Sequence, residues 1–379
     1  MHLHQFPDKP APPPAGPIWW VAGPAAGGLR TYVEAVGAQL QAAGAPCRIL
    51  LAAGRSPWRK LAHLRAQVRD PEAEPPRLIH AHGLKAAVVA ALAFPRVPLV
   101  LTLHTYPQGW WQRQVARWVA RRCQAVVAVS RALATWAALA GVVPPPTPGR
   151  PSQVHVLVPP LRRPGPPAVP RQRARRELGL PDVGPVVGTV ARLSREKGVD
   201  VLLRAVALLH RHGLPVTCLV VGAGPDEPAL RRLAGRLGIG AWVRWAGHRP
   251  QAARWLRAVD VYVQPSRQEA YGLAVVEAMA AARPVVASRT GGLEELIRDG
   301  VDGRLVPPDE PAALARVLAS LLRDEPARRR LAQAAAARAR RCPDAAQVAR
   351  QHLQLYAQLV AAPVPPRRRQ RIHRAQERR

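Results

Sequence analysis

The 379-residue sequence is poor in acid, in lysine and in aromatic rings. Aspartate and glutamate number 24 against 56 lysines and arginines, a formal charge of +32. Only Lys9, Lys60, Lys85 and Lys197 are lysines, so 52 of the cations are arginines. With 42 prolines and abundant alanine, this has the look of GC-rich coding. A surplus of this size attracts anions without choosing among nucleotides, phospholipids and nucleic acid. An aromatic fraction of 4% leaves few platforms for stacked bases, and no known nucleic-acid module is present. Cys47, Cys123, Cys218 and Cys342 are far apart, with no C-x-x-C pair, which excludes a zinc ribbon and a disulfide framework and suits a reducing compartment. The most apolar stretch, residues 86–103, is broken by Pro95, Arg96 and Pro98, too short a run to span a bilayer. The proline-rich start, MHLHQFPDKPAPPPAGP, lacks the apolar core of a signal peptide. A cytoplasmic protein, soluble or peripheral at the inner face of a membrane, is the expectation. No D-x-D occurs, so a metal-bridged diphosphate has no obvious ligands and no metal site is expected.

What is present is alternation. Short apolar runs at 18–23, 47–53, 77–83, 98–105 and 125–130 alternate with stretches of helical spacing, such as Leu29 to Ala43. Continuous apolar strands between helices indicate a parallel sheet covered on both faces. Residues 142–170 are crowded with prolines around one strand-like VHVLV, a linker signature. Beyond it the alternation restarts, with strands at 185–193, 215–224, 242–247, 259–266 and 284–290 and helices at 199–211, 228–237 and 273–281. Residues 311–360 are helical throughout in pattern. The length fits two α/β domains of ordinary size. The expected division is a disordered start (1–16), a first Rossmann-like domain (17–165), a second (166–345), a closing helix (346–362) and a disordered basic tail (363–379) with seven arginines after Pro366.

Ligands of doubly wound sheets lie at the carboxyl ends of strands, so the loops leaving those strands carry the candidates. Arg192 and Lys197 flank one such loop, SREKG, just before a helix, and two cations beside helix amides suit a diphosphate. As an isolated pair they read first as solvated surface cations. Gly222 and Gly224 follow the next strand but lack the third glycine of a dinucleotide fingerprint, which argues against an NAD site. In EAYGLAVVE, Gly272 lets the backbone approach a ligand, with the amides of Leu273 and Ala274 aimed at it. Glu277, one turn into the helix, can reach ribose hydroxyls, and the loop carboxylate Glu269 can face a sugar ring. Ordinary compensation of the helix dipole is the competing reading.

Taken together these segments resemble glycosyltransferase family 4, also described as glycosyl transferases group 1, which has the GT-B fold and retains anomeric configuration. The resemblance runs through VARLSREKGVDVLLRAVALL, VVGAGP and VDVYVQPSRQEAYGLAVVEAMAAARPVVASRTGGLEELIRDGVDGRLVPPDE, roughly 120 residues of motifs in the family's order. Glu269 and Glu277 match the E-x₇-E pair, Arg192 and Lys197 the diphosphate-binding cations, and Gly291, Gly292 and Glu295 the following G-G-x-x-E. In the first half, Gly27 and Gly28 match the glycine pair facing the donor phosphates, His104 the substrate-contacting histidine, and AVVAVS its usual strand. His82 reads as a core or strand-end residue. Ala270 and Ala282 stand where the family commonly has glycine; at a left-handed helix end the latter costs about 1 kcal/mol.

The resemblance implies two Rossmann-like doubly wound domains facing a cleft, with a C-terminal helix packing back on the first. It implies an EC 2.4 hexosyl- or glycosyltransferase without a cofactor, using a nucleotide-diphosphate sugar as donor and a lipid or saccharide as acceptor. Glu269, His104, Arg192 and Lys197 would be catalytic; Gly28, Arg192, Lys197, Gly222, Gly272, Leu273 and Glu277 would bind the donor. The alternatives are a basic protein binding nucleic acid or membrane, or another GT-B enzyme, an epimerase or a phosphorylase. A phosphorylase needs a pyridoxal-phosphate lysine, and Lys197 is the only lysine of the second domain. Contact with an anionic membrane has its own candidate, WWQRQVARWVARR at 110–122. On a helix Trp111, Val115, Trp118 and Val119 share a face, which either packs on the first sheet or lies in a lipid interface with arginines around it.

Overall fold

A computed structural model describes residues 16–23, 28–51, 74–143, 154–161, 169–249 and 252–361, with a few helical positions between 59 and 66. Gly27, the start before Gly16, the prolines at 144–153 and 162–168, and the basic tail from Ala362 lie outside the described residues.

The first domain is a six-stranded sheet in the order β2-β1-β3-β4-β5-β6, all parallel. Its strands are β1 (Ile18–Ala22), β2 (Cys47–Leu51), β3 (Leu78–His82), β4 (Leu99–Leu103), β5 (Ala125–Ala128) and β6 (Val154–Val156). The helices are α1 (Gly28–Ala42), α2 (Leu84–Ala93), α3 (Gly109–Ala120) and α4 (Arg131–Leu139). Every residue of β1, β3, β4 and β5 is buried, as expected of strands covered on both faces. VHVLV, set among linker prolines, supplies the sixth strand of this sheet.

The second sheet has the order β12-β11-β10-β7-β8-β9, also all parallel. It comprises β7 (Val186–Val190), β8 (Thr217–Val221), β9 (Val243–Gly247), β10 (Val261–Gln264), β11 (Val285–Ser288) and β12 (Arg304–Val306). Its helices are α5 (Arg171–Leu178), α6 (Val199–Arg211), α7 (Glu227–Arg236), α8 (Leu273–Ala280), α9 (Leu293–Leu296), α10 (Pro311–Arg323) and α11 (Glu325–Ala339). Strand order reverses between β7 and β10, the point where such sheets open a ligand crevice. α5 is anchored by Arg175, fully buried, which donates to the carbonyls of Ala258, Pro181, Asp182 and Gly184 and pairs with Asp260 at 2.9 Å.

The last helix, α12 (Ala345–Ala361), returns to the first domain. Val348, Leu353, Leu355 and Tyr356 complete the core that holds Trp20, Tyr32 and Leu40. Trp20 Nε1 donates to the Tyr356 hydroxyl at 2.8 Å, so two buried polar groups satisfy each other.

Candidate functional site

The loops leaving β7 and β10 meet at the switch point. Gly198, with φ of 63°, ends the short turn Arg195–Lys197, and a Cβ there would lie 2.0 Å from the Pro265 carbonyl oxygen. Only glycine lets the two loops touch. Arg267 fastens them further, with its guanidinium on the Asp200 and Asp309 carboxylates and on the Arg195 carbonyl. Those bonds push the Arg267 pKa up, and no local sequence signal marks them.

This framework brings Lys197 and Glu269 together. The ammonium donates to the two carboxylate oxygens at 2.9 and 2.8 Å. Ser266 Oγ, at 3.1 Å, and Gln264 Nε2, at 3.3 Å, also donate to Glu269. Ser266 and Gln264 are buried, and sequence reasoning missed both. Arg192, by contrast, is exposed and has no acidic partner among the described residues. Gly222 lies against its loop. With φ of 139°, Gly222 would place a Cβ 1.8 Å from the Ala191 carbonyl oxygen. The loops are also joined by Ala191 N–H to Val221 and Leu193 N–H to Ala223. The Gly222 and Gly224 requirement is thus met by loop-on-loop packing around Arg192.

Gly272 takes φ of 105° at the head of α8, whose first turn has no side-chain cap. The side chain of Glu269 passes close by, and Leu293 and Leu296 fill the space a Cβ would need. Glu277 is half-buried on α8; burial pushes the pKa of Tyr262 up, and the Glu269 and Glu277 carboxylates act in the same direction. Ala270 is buried without left-handed backbone, so its methyl group brings no strain. Ala282 does take the left-handed form, at φ of 52°. The Ala282 and Arg283 amides bond back to Met279 and Ala278, a complete Schellman ending built without glycine.

The first domain closes over this floor. Gly28, opening α1, faces Leu273, whose Cδ1 would be 2.9 Å from a Cβ at that position. Gln108 Nε2 donates to Gln268 Oε1 across the cleft. Glu295 accepts from the Arg131 and Ala132 amides at 3.1 and 2.6 Å, so an acid of the second domain caps α4 of the first. Tyr106 reaches over Gly291, where its hydroxyl would lie 2.8 Å from an added Cβ. Burial, then the Glu295, Glu269 and Glu294 carboxylates, push its pKa up to about 12. Tyr106 was not legible as a site residue, because its position depends on both domains.

His104 stands two residues before Tyr106, half-buried at the end of β4. It does not bond to Lys197 or Glu269. It belongs instead to a cluster of first-domain and α12 residues. His82 Nδ1 and His104 Nε2 are 3.2 Å apart, His80 bridges Thr102 and Tyr356, and Tyr32 meets His352 Nε2 at 2.6 Å. Buried His82 Nε2 has no partner. Burial lowers the His104 pKa to about 3, and pushes His80 and His82 well below the ordinary imidazole range. Among the described residues no group of three His, Cys, Asp or Glu is placed to hold a metal ion. Cys47, Cys123 and Cys218 are buried and free.

Two family models tile the chain: "Glycosyltransferase Family 4" matches residues 45–148 and "Glycosyl transferases group 1" residues 170–338. The chain belongs to these glycosyltransferases. It is 37% identical over 287 residues to a D-inositol 3-phosphate glycosyltransferase of Streptomyces scabiei, covering 69% of this chain and 64% of that one. A protein of the same name from Catenulispora acidiphila is 41% identical over 193 residues, 47% of this chain and 45% of the relative. The matches thus span between about half and two thirds of these relatives. Among solved structures, HepE of Anabaena in complex with UDP and glucose superposes with a TM-score of 0.75 at 25% identity, covering 91% of this chain and 100% of that one. Sucrose-phosphate synthase of Thermosynechococcus elongatus shares the fold, with a TM-score of 0.76 at 23% identity, covering 92% and 100%. Two facing parallel six-stranded sheets with helices are the GT-B architecture.

Proposed function

We propose that this protein is a retaining glycosyltransferase that moves a sugar from a nucleoside-diphosphate donor to a lipid or saccharide hydroxyl. The observation that carries the reading is the Lys197–Glu269 pair at the switch point, beside the exposed Arg192, which has no acidic partner among the described residues. Breaking the anomeric C–O bond leaves the electron pair on the diphosphate. Lys197, Arg192 and the amides at the head of α8 compensate that charge as it develops, the term that usually dominates such catalysis. Glu277 binds the ribose, and Glu269, tethered by Lys197, Ser266 and Gln264, faces the sugar. His104, kept neutral by burial, hydrogen-bonds a sugar oxygen rather than supplying a charge. HepE was solved with UDP and glucose, which supports a UDP-type donor. The relatives are named for an inositol phosphate acceptor, which supports an acceptor that bears phosphate. The chain works in the cytoplasm or as a peripheral guest on the inner face of the membrane, needing no bound cofactor.

A panel of nucleotide sugars tests this, with free nucleoside diphosphate measured as each donor hydrolyses slowly. One or a few donors should be cleaved, and Lys197→Ala should abolish the cleavage. No cleavage of any donor, together with salt-sensitive affinity for DNA, would establish the binding-protein alternative instead.

A further inference from the structure

The helix α3 does not use its tryptophans as core. It buries Ala116, Val119 and Ala120 and half-buries Val115, leaving Trp110, Trp111 and Trp118 exposed at 69%, 68% and 41%. Indoles are among the most costly side chains to leave in water, because each carries a large apolar area. Trp111 and Trp118 are seven residues apart, hence on one line of the helix, and Arg122 continues that line with its guanidinium 5.5 Å from the Trp118 ring. Arg121 is exposed next to it. The face is held rigidly: Arg117 donates to the Ala140 carbonyl at 2.6 Å, at the end of α4, where Leu139 is 85% exposed.

The stretch of chain that carries α3 has one sign. From residue 75 to residue 176 the sequence contains fifteen arginines and lysines and no aspartate or glutamate. Among the described residues no cation of α3 has an acidic side-chain partner of the kind that Glu34 gives Arg30. We infer that α3 is a docking face for an anionic lipid surface, with Trp110, Trp111 and Trp118 at the headgroup level and Arg121 and Arg122 on lipid phosphates. A convex row of indoles flanked by arginines suits a plane of mixed apolar and anionic character. An acidic protein would satisfy the arginines but would need a groove for each ring. The face also has an address. Gln108, immediately before α3, bonds across the cleft to Gln268, the neighbour of Glu269. Docking therefore sets the cleft mouth at the lipid surface, where a lipid hydroxyl can enter. The docking itself does not depend on the transferase reading; its purpose does.

The full chain is sedimented with vesicles of phosphatidylcholine alone and with phosphatidylglycerol added, at low and high salt. Insertion is read by quenching of tryptophan emission with lipids brominated high in the acyl chain. The wild type should bind the anionic vesicles at low salt and be quenched. Trp110→Ser/Trp111→Ser should bind at least about tenfold more weakly and lose most of the quenching, with an unchanged thermal unfolding curve. Equal binding by the double variant overturns the inference, as does sedimentation without quenching, which would mean charge attraction alone. Retention of the full chain on immobilised polyglutamate without lipid, lost in the double variant, also overturns it, in favour of an acidic protein partner. Donor cleavage is assayed in parallel. A wild type that cleaves a donor but does not dock sinks only the membrane face; a wild type that docks but cleaves no donor sinks only the transferase.

Discussion

Lys197 donates to both carboxylate oxygens of Glu269, so the cation assigned to the diphosphate is tied to the carboxylate assigned to the sugar. The pair is part-buried, with side-chain exposures of 23% and 11%. Removing Lys197 leaves the Glu269 carboxylate with only the neutral donors Ser266 and Gln264. We expect Lys197→Ala to lower transfer by about 100-fold or more and also to destabilise the fold. Lys197→Ala/Glu269→Gln should recover most of the stability and none of the activity. Unfolding midpoints and turnover measured on the four forms separate the two roles. Recovery of transfer in the double variant would show that Lys197 acts on Glu269 alone and not on the diphosphate.

Glu277 and Glu269 should differ in kind. Glu277→Gln is expected to weaken binding of the free nucleoside diphosphate by about tenfold, since one charge-assisted bond to a ribose is lost. Glu269→Gln should leave that affinity nearly unchanged and slow transfer. Titration calorimetry with UDP distinguishes them, and equal affinities for wild type and Glu277→Gln would remove Glu277 from the ribose.

The buried histidines tie stability to pH. Burial lowers the pKa of His104 and of His352 to about 3, from 6.5. The folded state therefore resists protons that the unfolded chain accepts. Their contribution is complete above pH 6.5 and is lost as pH falls from there towards about 3, by at most about 1.4 kcal/mol per pH unit for each histidine. Urea unfolding followed from about pH 8 to about pH 5 should show declining stability below the unfolded-state value. His352→Asn should make the decline shallower, although it loses the bond to Tyr32. A profile as steep as the wild type's would mean that His352 is not part of the coupling.

Ala282 is strained where glycine would not be. Ala282→Gly should raise stability by about 0.5–1 kcal/mol, the left-handed penalty of a Cβ reduced by glycine's greater unfolded entropy. Thermal unfolding reads this directly, and a lower midpoint would show that the methyl group packs well enough to offset its backbone.

Much of this was visible in the sequence because its signals are local. The apolar pattern of Val199–Arg211 delimits α6 as observed, and the family resemblance, which puts glycine at 282, pointed to the left-handed backbone there. Arg304–Val306 is a strand of three residues, too short to show a period of two. VHVLV read as an island in a linker because pairing with β5 cannot be inferred from prolines on either side. Contacts that join distant segments left no trace at all. Glu295 capping α4, Tyr106 over Gly291, and His80, His82 and His352 gathered around Trp20 with His104 against His82 each require the tertiary fold. The tryptophans of α3 misled in a different way. Spacing located the stripe, but the sheet took the alanine side of the helix and left the indoles outside.

The return of α12 has a consequence for synthesis. Trp20 and Tyr356, bonded to each other, are separated by 336 positions. While the ribosome works through the second domain, the first has its sheet but lacks the helix that covers Trp20, Tyr32 and Leu40. The second domain has all its own strands and can condense as it emerges. The domain made first is thus the one finished last, and until Tyr356 arrives its open face is the surface most in need of a chaperone.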